Sequence, residues 1–321
     1  MRPLNLSEGR AAGTREIWAV GSGKGGTGKS FLTASLGIVL AKMGKTVILV
    51  DADLGGANLH TCLGMGTVKS SLSDFIQGRV DSITEVVVDT PIPHLKLISG
   101  AHDILDIANP PHHRKQALMR AIRGLDFDYI LLDLGAGTAF NTLDFFLVAN
   151  KAILTVLPEP TSIENAYRFI KAAYFRYIKL VARELDIRRL VEESMDARNA
   201  MGIRTVHDLL EKVREQSPET GRKLAEDLFA MRPRLVVNQV RTLDDVTLGF
   251  SMRSSVEKYF GIRMDYAGYV EHDDLVWRAA RERKAVVHAY PYASPARCVD
   301  RIVQNLARDK QLELDWVMAK Q

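Results

Sequence analysis

The run Gly21-Ser22-Gly23-Lys24-Gly25-Gly26-Thr27-Gly28-Lys29-Ser30 sets the architecture of this chain. It contains the pattern G-x-x-x-x-G-K-[ST], with Gly23, Gly28, Lys29 and Ser30 in the fixed places. The run Glu16-Ile17-Trp18-Ala19-Val20 before it predicts a short buried strand, and Phe31 to Met43 after it predicts a helix. Strand, glycine loop and helix is the context in which this pattern cradles phosphate. Five glycines among residues 21–28 let the backbone take positive φ and come close to a ligand. Successive N–H groups can then converge on an anion at a helix N-terminus. Lys29 would place a positive charge on the β- and γ-phosphates, and Ser30 would offer a hydroxyl to Mg2+.

Outward from the loop, the predicted helix carries Leu32, Leu36, Val39, Leu40 and Met43 on one stripe, and Gly44 stops it. Thr46 to Val50 reads as a second strand, buried on both faces. It ends in Asp51-Ala52-Asp53-Leu54-Gly55-Gly56-Ala57-Asn58. Tyr129-Ile130-Leu131-Leu132-Asp133 repeats the form: an apolar run, an aspartate, then a glycine turn through Gly135 and Gly137. Further strands are expected at 95–99, 152–157, 235–238 and 267–270. Helices are expected at 72–76, 112–125, 140–149, 246–260, 273–283 and 294–307. Val286-Val287 reads as an edge strand or loop. Thr161 with Glu164 predicts a capped helix start, and the chain from there to about residue 232 reads as helical throughout. Strands alternating with helices predict an α/β fold with a doubly wound, mostly parallel sheet and a helical insertion at about 180–232. The expected organisation is a flexible lead-in at 1–14, one domain at 15–310 and a tail at 311–321.

Bulk properties narrow the class. The 321 residues are 46% hydrophobic and 26% charged, ordinary for a soluble globular protein. A net charge of +4 is too small to argue for nucleic acid alone. Cys62 and Cys298 stand far apart, which excludes a disulfide framework and fits a reducing cytoplasm. No run approaches the ~18 apolar residues that cross a bilayer, and Met1 to Glu8 has no apolar core of a secretion signal. His112-His113, and His60 near Cys62, lack further ligands at metal spacing, so surface or core roles are expected of them.

Asp51 and Asp133 end apolar strands that are expected to flank the loop strand. Strand-end carboxylates there can hold Mg2+ directly or through its waters. Asp53 could orient or deprotonate an attacking water, since phosphoryl transfer is mostly positioning and electrostatics. Lys24 is an additional cation that the generic pattern does not require.

Lys24 to Ser30 resembles the deviant Walker A motif of the MinD/ParA ATPases, which the extra lysine defines. Asp51 to Leu59 resembles the switch I segment of that family, and Asp133 to Gly137 its Walker B strand with switch II. Leu157 to Ile163, leading to Ala166 to Lys171, resembles the flagellar-number (FlhG/FleN-like) branch. Val237-Asn238 is similar to the adenine-reading asparagine position, and Gly268 to Asp274 to the loop that closes over the base. The resemblance covers roughly 15–180 and 234–308. It implies an ATP-driven, Mg2+-dependent switch with slow, partner-stimulated hydrolysis. ATP would lie against Gly23, Lys24, Gly25, Gly26, Thr27, Gly28, Lys29, Ser30, Phe31, Asn238 and Glu271. Ser30, Asp51 and Asp133 would hold Mg2+, with Lys24, Lys29 and Asp53 as the catalytic residues. Two subunits would sandwich two nucleotides, Lys24 reaching the partner's phosphates. Such switches place flagella, division sites, plasmids or other cargo through a protein partner.

The sequence departs from the flagellar branch in its longer helical stretch, in lacking a short N-terminal Gln-containing motif, and in its last residues. Gln311 to Gln321 is a poor match for a basic membrane-targeting helix, because Glu313 and Asp315 would be repelled by anionic lipid. Non-specific DNA is equally weakly supported, since acids interleave with the bases after residue 168. The expected location is the cytoplasm, with a membrane or nucleoid surface as a secondary site. A metal-cofactor or iron–sulfur maturation ATPase on the same fold would pair cysteines at its dimer interface, and Cys62 and Cys298 are isolated. An amidating synthetase on this fold would need a substrate pocket that no motif here marks.

Overall fold

The computed structural model describes residues 15–53, 56, 58–100, 112–182, 187, 191, 203 and 205–314. Eight strands form one sheet: β1 (Glu16–Ser22), β2 (Val47–Ala52), β3 (Val87–Asp89), β4 (Leu95–Ile98), β5 (Tyr129–Ala136), β6 (Lys151–Val156), β7 (Arg234–Val240) and β8 (Asp265–Glu271). Their order is β3-β4-β2-β5-β1-β6-β7-β8. All neighbours are parallel except β3, which runs antiparallel to β4 at one edge. Trp18, Ala19 and Val20 in β1 and Val47 to Val50 in β2 are fully buried, as parallel strands covered on both faces require. The three-residue β3 was not foreseen; a strand that short carries no period to read.

The loop strand does not lie between the two aspartate strands. β1 sits between β5 and β6, and β2 lies beyond β5. The two aspartates nevertheless face each other, because Asp51 and Asp133 are register partners across β2 and β5.

Helix α1 (Lys29–Lys42), the short α2 (Leu59–Cys62) and the closing helix share one face of the sheet. α1 is buried nearly all round, from Leu32 and Thr33 to Ala41, because it is sandwiched between the sheet and that closing helix. It packs so close to β2 that a Cβ on Gly37 would lie 2.6 Å from Leu49. Met43, expected on its buried stripe, is instead 52% exposed, because it is the C-cap and the helix ends at Lys42.

The other face carries α3 (Leu72–Gln77), α4 (His112–Arg123), α5 (Phe140–Leu147), α6 (Pro160–Val181), α7 (Val206–Gln216), α8 (Pro218–Ala230) and α9 (Leu243–Phe260). α6 starts at Pro160 with Glu159 as N-cap, so the expected Thr161/Glu164 cap is not formed. Proline at the first helical position is already set for the helix and needs no N–H there. Glu164 bonds Arg168 one turn on instead, at 2.6 Å. The chain closes with α10 (Asp274–Arg281), α11 (Val286–Ala289) and α12 (Ser294–Ala307). Val286 and Val287, expected as strand or loop, are buried in the single turn of α11. β8 is already the last strand of the sheet, and α11 packs on α1 and α12 instead.

The described part of the helical stretch packs onto the sheet. Thr205 caps α7 with Asp208, and Ser217 with Pro218 starts α8. Leu209, Val213, Leu224 and Leu228 of these helices join the same buried cluster as Ile17, Ile130 and Leu154 of the sheet. Residues 183–186, 188–190, 192–202 and 204 of that stretch, the lead-in 1–14 and the tail from 315 on lie outside the described residues.

Two charge networks brace the fold. Asp144 of α5, only 2% exposed at its side chain, is paired with Lys115 of α4 and takes two bonds from Arg176 of α6, at 2.7 and 3.0 Å. Burial opposes its charge, but the hydrogen bonds and charges of Arg176 and Lys115 outweigh this and hold the carboxyl below the usual carboxylate range. At the starting ends of β6, β7 and β8, Lys151 pairs with Asp309, and Arg234 pairs with both Asp309 and Asp265. Leu312 N–H then donates to the Tyr266 carbonyl at 2.7 Å.

Candidate nucleotide site

The site collects at the carboxyl ends of β1, β2, β5, β6 and β7, where an open parallel sheet binds ligands. The chain leaves β1 at Ser22, turns through residues 23–28, and enters α1 at Lys29. Gly26 and Gly28 take left-handed φ of 79° and 88°. A Cβ on Gly25 or Gly26 would meet nothing within 4 Å, so this side of the loop is open. The opposite side is packed: a Cβ on Gly23 would lie 2.1 Å from the Asn165 carbonyl oxygen of α6. Gly137 N–H donates to the Ser22 carbonyl at 2.9 Å, joining the turn after β5 to the loop. Thr27 Oγ1 is buried without a hydrogen-bond partner, an orphaned hydroxyl inside the cradle.

Side chains from two strands fix the back of the loop. Asn238 Nδ2 donates to the Thr27 carbonyl at 2.8 Å, and Thr155 Oγ1 donates to the same oxygen at 3.3 Å. Lys29 is buried and lends its charge to Asp133. Thr33 Oγ1 bonds the Lys29 carbonyl at 2.9 Å and Asp133 Oδ1 at 3.3 Å. Phe31 is half-buried against the α1 side of the core.

Asp51 and Asp133 form a buried acidic pair. Asp51 accepts from Leu59 N–H at 3.0 Å and from Asp53 N–H at 3.2 Å. Burial, reinforced by Asp53, raises its carboxyl to about 6 despite those bonds. Burial and the charge of Asp51 raise Asp133 to about 7, against the pull of Ser30 and Lys29. Two desolvated carboxylates beside a serine hydroxyl are an all-oxygen donor set of the kind a hard cation takes. The residues therefore fit Mg2+, and the N–H groups of the loop fit phosphate. Asp53 is half-buried over Gly135, whose Cβ would lie 3.3 Å from Asp53 Oδ1. Cys62 lies near the pair; burial and then the charges of Asp133 and Asp51 push its thiol up to about 12, so it stays protonated. Among the described residues no group of three metal-binding side chains forms around the histidines.

Lys24 sits on the rim. Its ammonium binds Glu159 at 2.8 Å and Thr161 Oγ1 at 3.1 Å, at the start of α6. Glu271 stands apart from the loop: its carboxylate is held by Ser294 and lines a groove with Val39, Lys42 and Met43 from the far half of α1. Sequence reasoning missed Thr33, Thr155 and Glu159. Thr33 alone had a signal, its position one helical turn after Lys29.

Residues 18–286 match the CobQ/CobB/MinD/ParA nucleotide binding domain, and the chain belongs to that family. Within it, the chain is 26% identical to the antiactivator FleN of Pseudomonas aeruginosa over 91% of its own length and 86% of FleN. It is 31% identical to the septum site-determining protein MinD of Synechocystis sp. over 60% of its own length and 72% of that protein. The fold matches that of MinD from Pyrococcus horikoshii, solved with Mg-ADP, with a TM-score of 0.61 at 19% identity, covering 91% of this chain and 96% of that one.

Proposed function

We propose that this chain is a Mg2+-dependent ATPase that dimerises on ATP and acts as a switch in placing or counting a cellular structure. The observation that carries the reading is the second loop lysine: Lys24 lies half-buried on the rim, paired with Glu159, whereas Lys29 is buried behind the loop. A buried lysine serves the nucleotide of its own chain. A rim lysine, released from Glu159, can reach a second copy's. The extended match to FleN supports a flagellar-number role ahead of division-site placement.

In this reading the N–H groups of residues 25–29 bind the phosphates, and Lys29 neutralises them from behind. Ser30, Asp51 and Asp133 hold the cation. Mg2+, when bound, supplies Lewis-acid charge to the β- and γ-phosphates. Asp53 holds the attacking water and accepts its proton, and Phe31 and Asn238 lie on the base side. Glu271 would reach the base only by leaving Ser294. The partner is a second copy of this chain, joined by a protein activator or cargo adaptor. The location follows that partner, in the cytoplasm or at a membrane or nucleoid surface. No helix among the described residues is long and apolar enough to cross a membrane. The maturation-ATPase alternative has little support: Cys298 is buried within α12 and Cys62 lies by the aspartate pair.

Asp53→Ala is expected to bind ATP within a few-fold of wild type, to lose hydrolysis by at least about a hundredfold, and to accumulate as a dimer with ATP and Mg2+ in light scattering. A variant that stays monomeric under those conditions would sink the switch reading.

A further inference from the structure

The Thr27 carbonyl is held by two side chains from different strands, Asn238 at the end of β7 and Thr155 at the end of β6. Both are buried. Asn238 has little freedom to do otherwise. Its own amide oxygen accepts from Gln239 N–H at 3.0 Å, and Gln239 takes a left-handed φ of 59°, which a residue with a side chain seldom adopts. Gly28 completes the fit. A Cβ there would lie 2.2 Å from Asn238 Nδ2, so only glycine lets the amide reach past it to the preceding carbonyl.

A trans peptide group is planar, with its C=O and N–H pointing in opposite directions. Pinning the Thr27 oxygen toward β6 and β7 therefore aims the Gly28 N–H the other way, into the loop. Without the pin, the glycine at Gly28 would let this peptide plane turn over and present an oxygen to the phosphates.

We propose that Asn238 and Thr155 are positioning residues for the phosphate loop, fixing the Thr27–Gly28 peptide so that its N–H faces the nucleotide. The role rests on the loop being the ATP site. It is distinct from any reading of the adenine base by Asn238, and it acts before nucleotide arrives. Base contact would have to use the second amide hydrogen of Asn238, which makes this residue the link between base and phosphates.

The test uses Asn238→Ala, Asn238→Asp and Thr155→Val in the full chain. Hydrogen exchange of the amides of residues 25–30 in nucleotide-free protein is expected to speed up about tenfold in both Asn238 variants and about twofold to threefold in Thr155→Val. Affinity for inorganic tripolyphosphate, which has no base, is expected to fall along with the loop protection in each variant, and affinity for ATP to fall by at least as much. Urea unfolding and exchange in β4 are expected to stay near wild type. Unchanged loop exchange in the Asn238 variants, with or without a fall in ATP affinity, would overturn the proposal. So would faster exchange together with a general loss of stability. Wild type that binds no ATP would instead overturn the site reading on which it rests.

Discussion

Gly28→Ala is expected to abolish ATP binding in calorimetry while the protein remains folded. Two independent costs meet at this position. An alanine at φ 88° is strained by roughly 1–2 kcal/mol. Its methyl would also stand 2.2 Å from Asn238 Nδ2, so the amide must move and release the Thr27 carbonyl. The loop can relieve both only by changing the backbone path that presents its N–H groups. The sheet beneath, from Trp18 to Val20, does not depend on that path. The expected signature is no measurable heat with ATP and Mg2+, with a thermal midpoint only a few degrees below wild type. ATP binding within threefold of wild type would mean that the loop reaches phosphate by another geometry. Lys29→Ala is the natural companion, since it leaves the backbone alone and removes the buried cation.

Asp144→Ala is expected to cost about 3–5 kcal/mol of folding stability, because removing one partner of a buried ion pair leaves uncompensated charge. Here one carboxylate serves two cations, Lys115 and Arg176, and joins three helices. The pH dependence has a definite sign. The folded carboxyl is held below its ordinary range, so its stabilisation is complete above roughly pH 4. It is lost as pH falls through the folded value. Urea unfolding of wild type and variant should therefore differ most at neutral pH, with the gap narrowing as pH falls below about 4. A gap that is small at pH 7, or constant across that range, would count against the triad as a stabilising unit.

The phosphate loop and most helices and strands around it were legible because each depends on local chemistry. Gly28 and Lys29 need a strand before and a helix after, and Val47 to Val50 is apolar because both faces of β2 are covered. Sheet order was less legible. Nothing in the apolar run of β2 says that β5 intervenes between it and β1, because pairing is decided by how the crossovers pack. The start of α6 was misplaced for a different reason: Thr161 and Glu164 have the spacing of a cap, but Pro160 is fixed in helical φ and takes the first position. In the site, the residue types predicted the aspartate pair. They did not predict that Asn238 holds the loop from behind, since that contact joins positions 211 apart in the chain. Lys24 was legible as an additional cation, but Glu159, which holds it, offered no pattern of its own.

The ion pairs of Asp309 with Lys151 and Arg234, and the bond from Leu312 to Tyr266, moor the end of α12 to the starting ends of β6, β7 and β8. Lys24 and the phosphate loop occupy the other end of the same strands. The segment from Asp309 to Leu312 is thus fixed at the base of the sheet, opposite the rim that, in the proposed function, would meet a second copy. A fluorophore placed on the exposed Lys310 would therefore sit at the end of the sheet away from the phosphate loop and leave that loop clear.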